Sequence, residues 1–596
     1  MQYLIVSWLV WEFVQSHQCA HEEIRLEPKR TYHGEFEGGE RALEGWRDIR
    51  ILVDYSNLNA EFSDDNAHAL MVKYVLMNQI VDTLQRNLKV SGRSTIFGLD
   101  EDSCQGFAKI PSNATEVVDA DLIIFVKAEN SPNRNYIAQA TACTICLETN
   151  RPTTGVISFN FANMGTEPEL LDENFRIGIH EVMHILFFSP SLYHYFTGYD
   201  YRNLPFINKN GVYIMKTPKL VDFARSHYGC DTITGVPLED NGGQGSLGAH
   251  FERTWVGNEF MSAQANIQMI ISGFSAALMI DSGWYQVGSG FTEPLSWGLK
   301  KGCTFLSAEF VESRCSSSPF REYCSPSNSN SIVCSSDFQS ISLCEQNSFS
   351  NSCIVALPSR TGFCSRELSS TYVLGSRKEK KGAGSRCIPV ALAANGTGTL
   401  GAAGCFPVSC SGSTLTIKVS DIPYTCTSES QSIEVTSTLS IICPSPEVFC
   451  AEFGRQNCGG SDCNGAGVCK NDGTCRCRYG FSGNYCENKL HRCYIPNDSL
   501  CLMYTELTSF KDSTSSPIPT PDPNLNTTPD PNPSTNSTTS PIPDPTPTTN
   551  STTSPSSNST TDSTTSPSSN STTNSTTSPS TNSTNTSSTN STANST

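Results

Sequence analysis

Arg176-Ile-Gly-Ile-His180-Glu181-Val-Met-His184-Ile-Leu-Phe-Phe188 is the stretch whose reading decides the fold. It holds His-Glu-x-x-His inside an apolar run that reads as helix. Residues four apart share one helix face, so His180 and His184 point the same way, one turn apart. Two imidazole nitrogens so placed can reach one ion at the roughly 2.0–2.1 Å that zinc prefers. Glu181 can then take a proton from a water whose pKa such an ion lowers to about 7. These residue types at this spacing point to zinc-dependent hydrolysis of a peptide carbonyl. The competing reading is a core helix with two hydrogen-bonded histidines. A third ligand decides between them, because a catalytic zinc takes three protein ligands and keeps one position open.

The extended pattern His-Glu-x-x-His-x-x-Gly-x-x-His would put glycine at 187 and histidine at 190, where this chain has Phe187 and Pro190. No glutamate occurs between Glu181 and Glu239, so a glutamate ligand two dozen residues on is excluded as well. His194, His227 and His250 remain. His194 lies in the aromatic cluster Leu192-Tyr-His-Tyr-Phe196, which reads as packing. His227, in Ala224-Arg-Ser-His-Tyr-Gly-Cys230, reads as a helix end tied by a disulfide. His250 follows the glycine-rich run Gly242-Gly-Gln-Gly-Ser-Leu-Gly-Ala and precedes Glu259-Phe-Met261-Ser.

A glycine-rich loop delivering a histidine, with a methionine eleven positions later, resembles the leishmanolysin family of zinc metallopeptidases. Arg151-Pro-x-x-Gly155, Ala224-Arg-x-His-Tyr-x-Cys230 and Ser272-x-Phe-x-x-Ala-Leu-Met-x-Asp-Ser-Gly-Trp284 extend the resemblance, which runs from about residue 19 to 450. It implies one zinc ion held by His180, His184 and His250, Glu181 as general base, and Met261 as the Met-turn beneath the metal. It also implies an α+β, zincin-type catalytic domain with a mixed sheet and an active-site helix. The family glycine at 187 closes that helix in a left-handed backbone. Phe187 is therefore expected either to carry strain of roughly 1–2 kcal/mol or to let the helix run on to about Pro190.

The net charge of −18, from 58 acidic and 40 basic residues, with no basic stripe, excludes nucleic acid as a partner. Twenty-six cysteines point to an oxidising compartment and an extracellular location. Tyr3 to Val14 is apolar, too short to span a bilayer, and Val14-Gln-Ser16 supplies the small residues of a signal-peptide cleavage site. Cys19, in His17-Gln-Cys19-Ala-His21-Glu, resembles the start of the family's propeptide. Two roles stay open for it: a thiolate that holds the zinc's open position and keeps the enzyme latent, or an ordinary disulfide partner.

Asp48 to Asp54 alternates as a strand, and Asp121 to Lys127 reads as a buried one. Leu70, Tyr74, Met77, Val81, Leu84 and Leu88 carry the period of an amphipathic helix over Ala67 to Leu88. Thr154 to Asn160 is a strand expected to form the lip of the cleft, with a free edge for an extended peptide. Cys143 and Cys146 form a Cys-x-x-Cys read as structural disulfide partners rather than as a redox or metal pair. From Glu293 to Cys450, regularly spaced cysteines among strand-like runs indicate a disulfide-stapled β domain.

Cys458, Cys463, Cys469, Cys475, Cys477 and Cys486, with Arg478-Tyr-Gly-Phe-Ser-Gly, resemble an EGF-like module. That resemblance implies the pairs Cys458–Cys469, Cys463–Cys475 and Cys477–Cys486. From about Ser513 the chain is Ser, Thr, Pro and Asn with recurrent Asn-x-Ser/Thr acceptors. It has too few apolar residues to offset the entropy of ordering and is expected to be a disordered, glycosylated stalk. No apolar C-terminal run signals a GPI anchor or membrane helix.

The chain therefore divides into a signal peptide (1–16), a propeptide-like segment (17–47), a catalytic domain (48–292), a cysteine-rich domain (293–450), an EGF-like module (451–493), a linker (494–512) and a stalk (513–596). Polypeptides are the expected substrates. Cell-surface or matrix proteins are the expected partners of the EGF-like module. The alternative reading is a surface adhesion protein with impaired catalysis, resting on Phe187.

Overall fold

A computed structural model describes residues 24–489 apart from 25, 34–44, 92–95, 112–117, 168–169, 210, 241–245, 265–267, 307–319, 326–330, 347–348, 350–352, 367–377 and 394–398. The signal peptide, Cys19, the loop glycines Gly242 and Gly243, the linker and the stalk lie outside these residues.

The stretch Arg176–Phe188 falls in a helix whose every residue is buried, Leu171–Leu186. A helix buried on every side needs cover on every side, and a mixed sheet supplies one wall. Its strands are β1 (Lys29–His33), β3 (Ile51–Asp54), β5 (Ile96–Phe97), β6 (Leu122–Glu129), β7 (Ala138–Cys146) and β8 (Pro152–Asn160). β2 (Trp46–Asp48) and β4 (Leu88–Ser91) pair in a small separate sheet. The spatial order is β3-β6-β8-β7-β1-β5. β3, β6 and β8 run parallel, and β7 runs antiparallel to β8. β7 and β8 are buried at every position, which is why they read as apolar runs.

Three expectations change here. Thr154–Asn160 belongs to β8, which lies inside the sheet between β6 and β7 and has no free edge. The antiparallel strand β7 comes next, and its outer side is covered by β1 in parallel register, Lys29 opposite Thr144 and Thr31 opposite Cys146. A strand of this sheet thus comes from the segment read as propeptide-like. Second, the helix over Ala67–Asn87 contains a π turn at Val72–Leu76. The extra residue wound into that turn rotates the following face, so Tyr74 points to solvent while Val72, Val75, Leu76 and Ile80 are buried. Third, Cys143 bonds to Cys104, whereas Cys146 is a buried free thiol.

The matches Arg151 and Gly155 have structural reasons. Buried Arg151 donates to the backbone oxygen of Asp121 (2.8 Å), pinning the start of β8 to the start of β6. At Gly155 the helix Leu171–Leu186 comes so close that an added Cβ would lie 2.3 Å from Ile185 Cγ2.

Two further helices, Pro218–Tyr228 and Gly273–Asp281, pack beyond the first. The former ends on Gly229 in the left-handed region (φ 69°). Cys230 then bonds to Cys303, closing a span of 73 residues and contributing about 4 kcal/mol by the chain-entropy account.

After residue 320 the chain is mostly antiparallel sheet, one of three strands and one of six. The pairs Cys324–Cys344, Cys334–Cys387, Cys364–Cys405, Cys410–Cys450 and Cys426–Cys443 staple these sheets. The fold is α+β and rich in disulfides. Among the described residues no helix is long and apolar enough to cross a membrane.

Gly155→Ala is expected to cost about 1–3 kcal/mol through overpacking. In Gly155→Ala/Ile185→Ala the clash has no second partner. The double variant should therefore be less destabilised than the two single losses summed, as read by denaturant unfolding.

Candidate metal centre

His180 and His184 leave the helix on the same face, and the ring of His250 joins them. The ring centroids are 4.8 Å (180–184), 5.2 Å (180–250) and 5.0 Å (184–250) apart. The chain returns to the site through a backbone ladder. Glu239 N donates to His250 O (2.9 Å), Phe251 N donates to Met261 O (3.0 Å), and Tyr193 Oη donates to Gly248 O (2.9 Å). Met261 is fully buried, next to Ser262, which forms an isolated parallel bridge with Phe251.

Each ring faces a backbone carbonyl through Nδ1. The acceptors are Phe260 O for His180 (2.5 Å), Phe188 O for His184 (2.7 Å) and Ser246 O for His250 (3.1 Å). A carbonyl only accepts, so Nδ1 carries the proton in all three rings and Nε2 carries the lone pair. The Nε2 atoms of His180 and His184 lie 3.1 Å apart. With both Nδ1 protons committed, neutral rings have no proton to place between those two nitrogens. Two lone pairs this close repel unless they share a cation. The separation is near the roughly 3.4 Å between two ligands about 2.1 Å from one tetrahedral ion. Burial pushes the His180 imidazole down to about 4, against the pull of Phe260 O, and so keeps it neutral. The donor set, its tautomers and its spacing fit zinc.

Glu181, fully buried, follows His180 on the same helix. The other two candidate ligands, His194 and His227, take part in packing. His194 stacks between Tyr195 and Tyr201, 3.9 Å from each ring centroid. His227 meets Trp297 O through Nε2 at 2.8 Å, beside the Cys230–Cys303 bond.

Residues 61–353 match a family model described as leishmanolysin. Residues 61–353 belong to the leishmanolysin family. A leishmanolysin-like peptidase of Drosophila pseudoobscura pseudoobscura is 29% identical over 230 residues, 32% of this chain and 34% of that protein. Leishmanolysin of Leishmania chagasi is 29% identical over 259 residues, 42% of this chain and 41% of its own. That of Leishmania major is 30% identical over 252 residues, 41% and 40%. The chain thus spans between a third and about two-fifths of these relatives. A metal cofactor goes with the family, and the three-histidine cluster is where it would sit.

Phe187, which replaces the glycine of the extended pattern, needs neither of the accommodations expected for it. The helix ends at Leu186, and Phe187 has φ −161° and ψ −29°, on the negative-φ side, so no left-handed turn is asked of it. Phe187 N and Phe188 N both donate to Met183 O at 2.9 Å. The turn thereby aims Phe188 O at His184, while the Phe188 ring packs edge-on against Phe251 at 4.7 Å. An aromatic pair buried in the core replaces the tight glycine turn.

Sequence reasoning passed over Glu259, although it stands in the quoted Glu259-Phe-Met261. Its buried carboxylate accepts from Met261 N, Ser272 Oγ (3.1 Å) and Ser275 Oγ (2.6 Å) and so braces the backbone at Met261. Burial raises it to about 7 despite those three donors. The folded state therefore holds this proton more tightly than the unfolded state. Stability present below about pH 4.5 is lost as pH rises through about 7. Glu259→Gln should remove that loss, about 3 kcal/mol at most, and flatten the pH dependence of unfolding over this window.

Proposed function

We propose that the chain is a zinc metalloendopeptidase of the leishmanolysin type, with Glu181 as its general base. The observation that carries the reading is the meeting of His180, His184 and His250 with their Nε2 lone pairs converging, beside a carboxylate on the same helix. A zinc ion held there supplies Lewis acidity toward a peptide carbonyl and a water of lowered pKa. Glu181 takes the proton of the attacking water at its carboxylate and passes it to the leaving amine. The carbonyls of Phe260, Phe188 and Ser246 hold the imidazoles in the ligating tautomer while this happens. Phe187 ends the helix at a negative φ, without the left-handed turn of the glycine pattern, and this favours the active reading over the impaired-catalysis one.

The disulfides support an extracellular, oxidising compartment for the protein. We propose that residues 451–493, with the bridges Cys458–Cys469, Cys463–Cys475 and Cys477–Cys486, are an EGF-like module with cell-surface or matrix partners. We also propose that residues 17–47 are a removable segment and that Cys19 is its latency thiol. Its strand β1 pairs with β7 and β5, so removing the segment would take a strand out of the six-stranded sheet.

Glu181→Gln should lower casein hydrolysis about 10²–10⁴-fold while zinc content stays at the wild-type level. Undiminished hydrolysis would remove the general base from the account. Cys19→Ala should give a full-length chain active without processing, and an unchanged latent form counts against the thiol.

A further inference from the structure

The first turn of the motif helix carries Asp172, and one turn on comes Arg176; both are buried. Arg176 donates to Glu293 (2.9 and 3.2 Å), to Asp172 (3.3 Å) and to the backbone oxygen of Met269. Glu293 in turn accepts from Ile271 N (3.3 Å) and donates its own N–H to Ile271 O (2.7 Å). Ile270, between Met269 and Ile271, accepts from Phe260 N (2.9 Å), and Phe260 O holds His180 Nδ1. Arg176 and Glu293 therefore join the helix bearing two ligands to the loop that orients one of them.

A residue some 300 positions further along completes this network. Arg476 Nε donates to Glu293 (2.9 Å), its Nη1 donates to Asp172 (3.1 Å), and its guanidinium lies 4.8 Å over the Phe175 ring. Arg476 stands between Cys475 and Cys477, bonded to Cys463 and Cys486, and Cys458–Cys469 is the third bridge of that small unit. Its position is thus set by two covalent bonds immediately beside it. Asn471 of the same unit fixes the other end of the contact. Its N–H donates to Thr292 O (2.8 Å), and its Nδ2 donates to Thr292 Oγ1 (2.9 Å) and Glu293 O (3.2 Å). A domain tethered only for adhesion has no use for a half-buried arginine (side chain 14% exposed) paired with two buried carboxylates at the base of another domain's helix.

We infer that Arg476 is a positioning residue for the metal centre, making the three-disulfide segment a fixed part of the hydrolytic unit. The inference rests on the metal-centre reading above. Asp172 and Glu293 face Arg176, Arg366 and Arg476. Removing Arg476 leaves both carboxylates to the remaining arginines, which pulls Arg176, Glu293 and the Met269–Ile271 backbone into a new balance. Phe260 O moves with that backbone, and His180 with Phe260 O. Outer-shell partners of a metal ligand commonly change affinity 10–100-fold.

The experiment uses the full chain and measures zinc affinity by chelator competition, with kcat and KM on a peptide substrate. Arg476→Ala should weaken zinc binding about ten-fold or more and lower kcat with little change in KM. Arg476→Lys, which keeps the charge but not the two-pronged contact, should fall between, and it decides the matter if the alanine variant does not fold. Arg476→Ala/Glu293→Gln should lose less than the two single losses combined. A wild-type chain that binds no zinc refutes the metal-centre reading itself. Zinc-loaded wild type with unaltered affinity in the folded Arg476 variants overturns the positioning role alone.

Discussion

Three backbone carbonyls, those of Phe260, Phe188 and Ser246, fix the chemistry of this molecule. Each accepts from the Nδ1 of one histidine, and together they leave three Nε2 lone pairs facing one point in a buried, apolar setting. Neutral imidazoles so arranged repel one another; a divalent ion turns the repulsion into the reason for the arrangement. The surrounding packing serves the position of those carbonyls. The Phe187–Phe188 turn aims one, the loop of Glu259 to Met261 aims the second, and the loop that returns His250 aims the third.

The motif helix accounts for much of the fold. A sixteen-residue helix buried at every position leaves no solvent-facing side. The sheet approaches it at a glycine, Gly155, where a single methyl would collide with Ile185. The charges on the helix follow the same logic. Arg176 and Asp172 are buried and therefore need partners, which come from Glu293 and, across the length of the chain, from Arg366 and Arg476. Burial pushes the Asp172 and Glu293 carboxyls up, yet the surrounding guanidiniums, Arg176 first, bring both below the ordinary carboxylate range. The ionic base of the helix and the metal face near its other end are two outcomes of burying one polar-studded helix.

What could be read from the sequence is what side chains announce. His180, Glu181 and His184 follow from the His-Glu-x-x-His spacing on a helix, and His250 from the family resemblance carried by its glycine-rich approach and the methionine after it. Features that belong to the backbone could not be read in that way. The carbonyls that set the tautomers belong to residues of any type, and the negative φ of Phe187 contradicts an expectation drawn from glycine. The π turn at Val72–Leu76 leaves no mark in a pattern that already looks helical, and it turned Tyr74 outward. Strand order was equally hidden. β8 reads as the strand before the helix, and only pairing reveals that it is interior and that β1 comes from the N-terminal segment. Arg476 stood inside a cysteine pattern that drew attention to its bridges, and its partner Asp172 lies 304 residues earlier.

Zinc-edge X-ray absorption on the purified chain, with and without His250→Ala, tests the convergence of three imidazoles on one ion most directly. The account predicts scattering from three imidazole nitrogens at roughly 2.0–2.1 Å in the wild type and from two in the variant, with weakened retention of the metal. Two imidazoles in the wild type, or a spectrum that His250→Ala leaves unchanged, would contradict it.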